Sequence, residues 1–265
     1  MKNRAKLHVL FADEDYLKNF GGIKRSKYVK FWLTKKKWHK KRLIEKIQHF
    51  SEDANRKISG ELGLHKYRAC RIQSIDGWKH GGDISFVKEY KNEIKGMFAF
   101  DHVILKKVND FLGGGNDRIT IGVHVRRGDY KQWRDGKFYY DDDTYAKMMF
   151  SLKNQFADKY QKQCRFVVCT NEAYNYSNSG LDIMQIPETD AITDLCLLSR
   201  CDYIIGPPST YSQWASFMGD VPLHFILSSD ETLKIENFSP IVMMNTFENG
   251  RKLIDIVDEK SFIVA

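Results

Sequence analysis

The sequence lacks the features that mark several common classes of protein. No apolar run approaches the ~18 residues that cross a bilayer, and the first residues carry no apolar signal-peptide core. The five cysteines form no C-x-x-C pair, and no His/Cys cluster has zinc-ligand spacing. A G-x-x-x-x-G-K-[ST] phosphate-binding loop is also missing. These absences predict a cytoplasmic protein with buried free thiols and no metal site.

Positive charge is abundant and unevenly distributed. The 265 residues carry a formal net charge of +8 and a pI of about 9.1, which favours anionic partners. Between Lys24 and Lys46 there are eleven Lys or Arg residues and one acid, interleaved with Trp32 and Trp38. This pattern predicts basic amphipathic helices in peripheral contact with an anionic membrane. A solvated helical face explains it equally well. No helix-turn-helix, RRM or zinc-finger signature supports a nucleic-acid partner.

The first half of the chain is less regular than the second. We expect a strand at Lys6–Phe11 and helical structure over Phe86–Asn109. The run Gly113–Asp117 contains three consecutive glycines and is the clearest break in the sequence. It predicts a boundary between residues 1–117 and residues 118–265.

Strands and helices alternate after this break. The predicted strands are Arg118–Val125, Cys164–Thr170, Asp182–Ile186, Asp202–Gly206 and Pro222–Leu227, and the predicted helices are Asp141–Tyr160, Asp190–Arg200 and Ser209–Met218. Such alternation is typical of a doubly wound parallel α/β sheet. Sheets of this kind bind ligands at the carboxyl ends of their strands.

The stretch Ile121–Tyr130 reads Ile-Gly-Val-His-Val-Arg-Arg-Gly-Asp-Tyr and carries the strongest functional signal. An apolar strand ends there at Arg126 and Arg127. Two guanidinium groups at a strand end suit a diphosphate, since each can donate two parallel hydrogen bonds. The alternative is a surface strand that ends in an ordinary ion pair.

A second dense segment runs from Asp194 to Ser216. The apolar strand ends at Gly206, Pro207-Pro208 forces an extended turn, and Ser209 or Thr210 can cap the following helix. A helix N-terminus with free backbone N–H groups is an anion site, and two further side-chain donors follow at Ser212 and Gln213. A well-capped structural helix is the alternative. The occurrence of this segment in the same predicted sheet as the two arginines favours a binding function.

These two segments together resemble a known superfamily. His124-Val-Arg-Arg-Gly-Asp129 matches the H-x-R-R-x-D signature of the α-1,2/α-1,6/O-fucosyltransferases, and its Gly-Asp-Tyr ending resembles the bacterial α-1,2-fucosyltransferases. The segment with Asp194, Asp202 and Ser-Thr-Tyr-Ser-Gln213 resembles the last motif of the superfamily. The resemblance covers roughly residues 118–227.

The resemblance implies a GT-B-like α/β fold and a metal-independent, inverting fucosyltransferase that uses GDP-fucose as donor and needs no cofactor. Residues 118–265 would form the Rossmann-like nucleotide-sugar domain, and residues 1–117 an acceptor-side, helical region. The Gly-Gly-x-Gly-Asn-Gln loop that usually opens α-1,2-fucosyltransferases is missing, so we expect a smaller N-terminal part that is divergent or truncated. The acceptor would be a glycan or lipid-linked glycan. A transferase for another nucleotide sugar, or an inactive GDP-sugar-binding relic, remains the alternative.

The resemblance also implies roles for single residues. Arg126 would grip the diphosphate and stabilise its charge as it leaves, with Arg127 in support. His124 would line the nucleotide site, Asp194 would contact the guanosine, and Asp129 would orient the arginine loop. The residues expected to line the phosphate site are Ser209, Thr210, Ser212 and Gln213. The sequence indicates no general base.

Overall fold

The computed structural model describes residues 47–50, 72–75, 84–113, 117–172, 174, 180–243 and 245–252. The predicted strand Lys6–Phe11 and the basic segment Lys24–Lys46 lie outside these residues. The chain forms two compact units, Met1–Ala99 and Phe100–Ala265. The domain boundary predicted after residue 117 stays a prediction.

The first unit contains a pair of short parallel strands and two helices among its described residues. Strand β1 is Ile47–Phe50 and pairs with β2, Ile72–Ile75. Helix α1 is Ile84–Glu89 and α2 is Lys91–Met97. The second unit begins with helix α3, His102–Leu112. The helical structure predicted over Phe86–Asn109 is present and is divided among these three helices. Helix α2 ends at Met97, and helix α3 begins after its N-cap residue, Asp101. The Asp101 carboxylate accepts a hydrogen bond from the backbone N–H of Val103 at 2.8 Å.

The second unit is built on a five-stranded parallel sheet. Its strands are β3 (Arg118–Val125), β4 (Gln163–Thr170), β5 (Ile183–Met184), β6 (Tyr203–Gly206) and β7 (Leu223–Phe225). Their order across the sheet is β5-β4-β3-β6-β7. The chain moves outward from β3 in one direction and then returns to continue in the other. The point where the direction reverses lies between β3 and β6, and that is where doubly wound sheets open a crevice.

Each long helix of this unit begins at a polar cap. Helix α4 is Asp142–Tyr160, α5 is Ala191–Leu198 and α6 is Thr210–Gly219. The side chains of Asp141, Asp190 and Ser209 accept the backbone N–H of Thr144, Thr193 and Tyr211, respectively. The α/β fold class and the doubly wound sheet predicted from the sequence are confirmed.

The core surrounds the central strand, because a strand with neighbours on both edges and helices on both faces is shielded everywhere. Ile121, Val123 and Val125 are fully buried. The described cysteines are buried free thiols, as predicted: Cys164, Cys169, Cys196 and Cys201. A small antiparallel pair, β8 (Ile241–Met243) and β9 (Thr246–Phe247), follows the sheet. No helix in the described part of the chain is long and apolar enough to span a membrane.

Candidate active site

The two segments singled out in the sequence meet at the reversal point of the sheet. The loop after β3 and the turn after β6 lie side by side, because β3 and β6 are parallel neighbours. The Tyr130 hydroxyl donates a hydrogen bond to the Pro208 carbonyl at 2.5 Å. One turn into α6, Ser212 Oγ lies 2.7 Å from His124 Nδ1. These contacts join the arginine loop to the start of α6.

Close approach of the two strands depends on a glycine at the end of β6. A Cβ atom at Gly206 would lie 2.7 Å from the His124 carbonyl oxygen and 2.9 Å from its Cβ. Contacts this short do not occur in proteins, so any side chain would push the strand ends apart. Gly206 therefore lets the loop after β3 and the start of α6 come together.

Arg126 lies at the crevice with its guanidinium partly exposed. Its Nη2 atom is 2.9 Å from Asp129 Oδ1, and the two side chains are 36% and 62% exposed. The guanidinium also lies over the Tyr130 ring, 5.6 Å from the ring centre. Asp129 is thus placed to orient Arg126, while most of its own carboxylate faces solvent.

Arg127 forms a different ion pair from that of Arg126. Its side chain is buried and forms an ion pair with Asp142, in the first turn of α4. Its backbone N–H donates to Asn171 Oδ1 at 2.9 Å. The two guanidinium groups thus have different carboxylate partners. Substrate contact by Arg127 stays a prediction, and the observed contact fixes α4 to the loop.

The loop after β3 needs a left-handed residue immediately after Arg127. Gly128 has φ of +62°, and a Cβ there would lie 2.9 Å from Asn171 Nδ2. Tyr130 and Asn171 therefore hold the loop, although sequence reasoning gave neither a role. Their positions in the sequence could have indicated a role, since both follow the carboxyl ends of parallel strands.

His124 is a neutral, buried imidazole. Burial and, to a smaller extent, repulsion from the Arg126 cation together lower its pKa to about 3. Its ring centre lies 5.0 Å from that of Tyr211. A neutral histidine that contacts Ser212 adds no charge beside Arg126.

The residues predicted to line the phosphate site separate into two groups. Ser209 and Thr210 lie at the N-terminus of the ten-residue helix α6, with Ser209 half-buried and Thr210 exposed. Ser212 is fully buried against His124. Gln213 is buried too, and it donates to Asn245 Oδ1 at 2.9 Å and accepts from the Asn245 backbone N–H at 2.6 Å. The Ser212 and Gln213 side chains thus form hydrogen bonds within the protein near the start of α6.

Asp194 is a buried carboxylate in the first turn of α5. Burial raises its pKa to about 6, although a hydrogen bond with Thr189 opposes the shift. The start of α5 is joined to α6, because the Tyr211 hydroxyl donates to the Ala191 carbonyl at 2.5 Å. Through Tyr211 this helix start connects to His124 and the crevice. A buried carboxylate with a raised pKa is a candidate binding group, because a ligand that donates hydrogen bonds to it would stabilise its ionised form.

The described residues contain no group of three or more His, Cys, Asp or Glu side chains arranged to hold a metal ion. At the carboxyl ends of β3 and β6, the described residues bring together the Arg126 guanidinium, the N-terminus of α6 and the neutral His124. These groups lie at the reversal point of an α/β domain, the position at which sheets of this kind bind ligands.

The sequence places this domain in a family. A model described as glycosyl transferase family 11 matches residues 42–221, and the chain belongs to that family. No curated protein matches the chain.

The chain is similar to several solved fucosyltransferase structures at low sequence identity. A structure of NodZ alpha-1,6-fucosyltransferase soaked with GDP-fucose has 16% identity and a TM-score of 0.39, over 71% of this chain and 64% of that one. The NodZ fucosyltransferase from Bradyrhizobium has 19% identity and a TM-score of 0.39, over 67% and 63%. POFUT1 in complex with GDP has 12% identity and a TM-score of 0.43, over 66% and 60%. The chain thus spans less than two thirds of the length of each.

Proposed function

We propose that the protein transfers fucose from GDP-fucose to a glycan hydroxyl with inversion at the anomeric carbon, forming an α-1,2 linkage. The observation that carries this proposal is the convergence of Arg126 and the N-terminus of α6 at the reversal point of the sheet. Membership of glycosyl transferase family 11 supports a sugar donor. The motif from His124 to Asp129 resembles the fucosyltransferase signature, which supports GDP-fucose in particular.

The chemistry requires positive charge where the sugar departs. As the bond between the anomeric carbon and the diphosphate oxygen breaks, negative charge builds on the diphosphate while the acceptor oxygen attacks the opposite face of the sugar. The Arg126 guanidinium and the first N–H groups of α6 are suited to stabilise that charge. Removal of one such donor typically costs about 10²–10³ in rate.

Asp194 is suited to recognise the base. Its ionised carboxylate would accept hydrogen bonds from the N1–H and N2 amino group of guanine, as a carboxylate does with any pair of adjacent donors. His124, neutral and held by Ser212, would line the same nucleotide site. We assign Asp129 the role of orienting Arg126.

A ligand panel tests the donor proposal. GDP and GDP-fucose at about 100 times their Kd should stabilise the protein by ~2–3 kcal/mol, while UDP-sugars should not. Arg126→Ala should lose the response to GDP-fucose. Arg118→Ala is the matched control, since Arg118 starts the same strand and pairs with Asp182 at the surface. Equal stabilisation by UDP-sugars and GDP-sugars would contradict the assignment of a GDP-fucose site.

Two competing functions are separated by the same reagents. A transferase for another nucleotide sugar would respond to GDP-mannose or a UDP-sugar in preference to GDP-fucose. A GDP-sugar-binding subunit without activity is favoured by one sequence feature, the missing Gly-Gly-x-Gly-Asn-Gln loop of α-1,2 relatives. It would bind GDP-fucose yet release no GDP with any acceptor. Transfer of labelled fucose to a β-galactoside glycan decides between binding and catalysis.

The basic segment Lys24–Lys46 suggests where the reaction takes place. Its cations and tryptophans suit peripheral attachment to an anionic bilayer. We propose a cytoplasmic enzyme that works at the inner membrane face, on a glycan or lipid-linked glycan acceptor.

A further inference from the structure

The proposed donor site needs two groups from different parts of the fold to act on one diphosphate. One is the Arg126 guanidinium, in the loop after β3, and the other is the N-terminus of α6, which follows β6. A diphosphate has a fixed size, so the distance between the two groups decides whether both can contact it at once. The contacts that set this distance therefore belong to the site, even where they do not touch the ligand.

Two of the contacts between these segments act before the chain reaches Arg126. The close approach at Gly206 and the contact of Ser212 both involve His124, one residue before the end of β3. They hold the strand ends together but do not restrain the loop beyond Arg126. The loop itself is joined to α6 by Tyr130, four residues after Arg126.

Tyr130 contacts both of the groups that would bind the diphosphate. Its ring lies under the Arg126 guanidinium, with 5.6 Å between the guanidinium carbon and the ring centre. Its hydroxyl donates a hydrogen bond to the Pro208 carbonyl at 2.5 Å. That carbonyl belongs to the peptide that carries the N–H of Ser209, the N-cap residue of α6. One side chain thus spans from the guanidinium to the residue at which the helix begins.

The Tyr130 side chain is itself held in place. It is 8% exposed, and its ring packs against Trp133 with 4.7 Å between the ring centres. Its backbone N–H donates to the Arg127 carbonyl at 3.2 Å, across the left-handed turn at Gly128. Burial raises the pKa of the phenol, so the hydroxyl stays protonated and can donate. A packed, buried ring leaves the two segments little freedom to move apart.

We propose that Tyr130 is a positioning residue of the donor site, whose hydroxyl sets the spacing between the Arg126 guanidinium and the N-terminus of α6 so that one diphosphate contacts both. The inference rests on the proposed function, since it requires that both groups bind the diphosphate. Tyr130 acts through these two groups and not on the reacting atoms. Because the spacing exists before the ligand arrives, binding does not have to order the two segments, which would weaken it.

The direct test is Tyr130→Phe, because it keeps the ring under Arg126 and removes only the hydroxyl. Tyr140→Phe is the matched control. Tyr140 is 4% exposed, lies in the same connection between β3 and α4, and donates its hydroxyl to the Ile226 carbonyl, just after β7, at 3.0 Å. Each variant loses one hydrogen bond from a buried phenol to a backbone carbonyl, so both should unfold at a lower temperature than the wild type.

Ligand binding separates the two variants. Calorimetric titration with GDP should give a Kd about fivefold higher for Tyr130→Phe, the effect of about one hydrogen bond, whereas Tyr140→Phe should bind GDP as the wild type does. Guanosine, which has no phosphate, should bind equally to all three proteins. A general loosening of the fold would weaken both ligands, so the contrast between GDP and guanosine identifies a spacing role.

A double variant shows whether Tyr130 acts through Arg126. Arg126→Ala with Tyr130→Phe should bind GDP about as Arg126→Ala does, because the spacing has no effect once one of the two groups is gone. Additive losses would overturn the inference. So would a wild-type Kd for GDP in Tyr130→Phe, the same rise in Tyr140→Phe, or equal weakening of GDP and guanosine, while GDP binding by the wild type left the proposed function intact. Failure of the wild type to bind GDP would overturn both.

Discussion

Replacement of Asp194 by asparagine should stabilise the ligand-free protein, and the gain should depend on pH in a defined way. Burial raises the pKa of Asp194 from 3.8 to about 6. The folded state therefore binds the proton more tightly than the unfolded chain does. The stability contributed by the protonated carboxyl is fully present below pH 3.8 and is lost as the pH rises through about 6. Asparagine is neutral throughout and does not lose it.

The size of the effect follows from the two pKa values. A shift of one pKa unit corresponds to about 1.4 kcal/mol, so ionisation of Asp194 costs the folded state roughly 3 kcal/mol well above pH 6. At pH 4.5 the unfolded carboxyl is already largely ionised, and about 1 kcal/mol of this cost is present. The advantage of Asp194→Asn should thus grow by roughly 2 kcal/mol between pH 4.5 and pH 8.

Urea unfolding of both proteins at several pH values measures this difference. A constant offset from altered hydrogen bonds cancels, because only the change with pH is tested. Asp190→Asn is the matched control from the start of the same helix. Burial alone would raise the pKa of Asp190, but hydrogen bonds from Thr193 outweigh it and the net shift is downward. The stability that this lowered pKa contributes is present above pH 3.8 and is lost only at lower pH, so the difference between the Asp190 variant and the wild type should stay nearly constant between pH 4.5 and pH 8.

A flat difference between Asp194→Asn and the wild type across this range would refute the reasoning. The same variant should lose the preference for GDP over IDP, which lacks the N2 amino group, if the carboxylate recognises guanine. For the wild type, GDP affinity should decline as the pH falls below about 6, where Asp194 becomes protonated in the free protein. His124 contributes nothing to that decline, because its pKa is held at about 3.

Four further outcomes are expected. Arg126→Lys should fail nearly as badly as Arg126→Ala in transfer kinetics, since a point charge lacks the planar fork; activity within about threefold of the wild type would remove the special role of the guanidinium. Turnover should persist in EDTA, because Arg126 and the N-terminus of α6 supply the positive charge at the diphosphate; activity lost to EDTA and restored by magnesium or manganese would contradict this. Gly206→Ala should lower the free energy of unfolding by about 1–3 kcal/mol through its clash with His124, whereas Gly96→Ala, with open space around it, should not; equal thermal stability of the two variants would refute the packing argument. The Lys24–Lys46 segment should sediment the protein with anionic vesicles, at roughly 1 kcal/mol per cation near the surface, and salt should release it because charges are screened beyond about 10 Å at 0.1 M; equal binding to neutral vesicles, or none to either, would return the segment to a solvated face.

The regular half of the fold was predictable for a physical reason. Parallel strands covered on both faces must be apolar throughout, so they read as short apolar runs such as Ile204–Gly206. The helices between these strands begin at capping residues that can be recognised in the sequence, such as Asp141 and Ser209. The strand predicted over Asp182–Ile186 shrinks to Ile183–Met184, since ladder pairing to β4 covers only those residues. The order of strands, and hence the reversal point, cannot be read from such local patterns.

The details of the candidate site were less predictable, because they depend on contacts between distant residues. Gln213 looks like a free donor in the sequence but is engaged with Asn245, thirty-two positions away. The carbonyl that receives the Tyr130 hydroxyl lies seventy-eight positions away. The helical segment predicted over Phe86–Asn109 is divided into separate helices, and the last of them starts at a local cap, Asp101.

The strengths of two ion pairs decide which arginine of the motif is available to a ligand. Arg127 and Asp142 are 11% and 32% exposed, so solvent screens their attraction less than it screens that of an exposed pair. Arg126 pairs with a carboxylate that is 62% exposed, and exposed pairs contribute about 0–1 kcal/mol. An incoming diphosphate can therefore displace Asp129 at little cost, whereas displacing Asp142 would detach helix α4 from the loop. Adjacent arginines with similar appearance in the sequence thus divide the work, one suited to a ligand and the other to the fold that presents it.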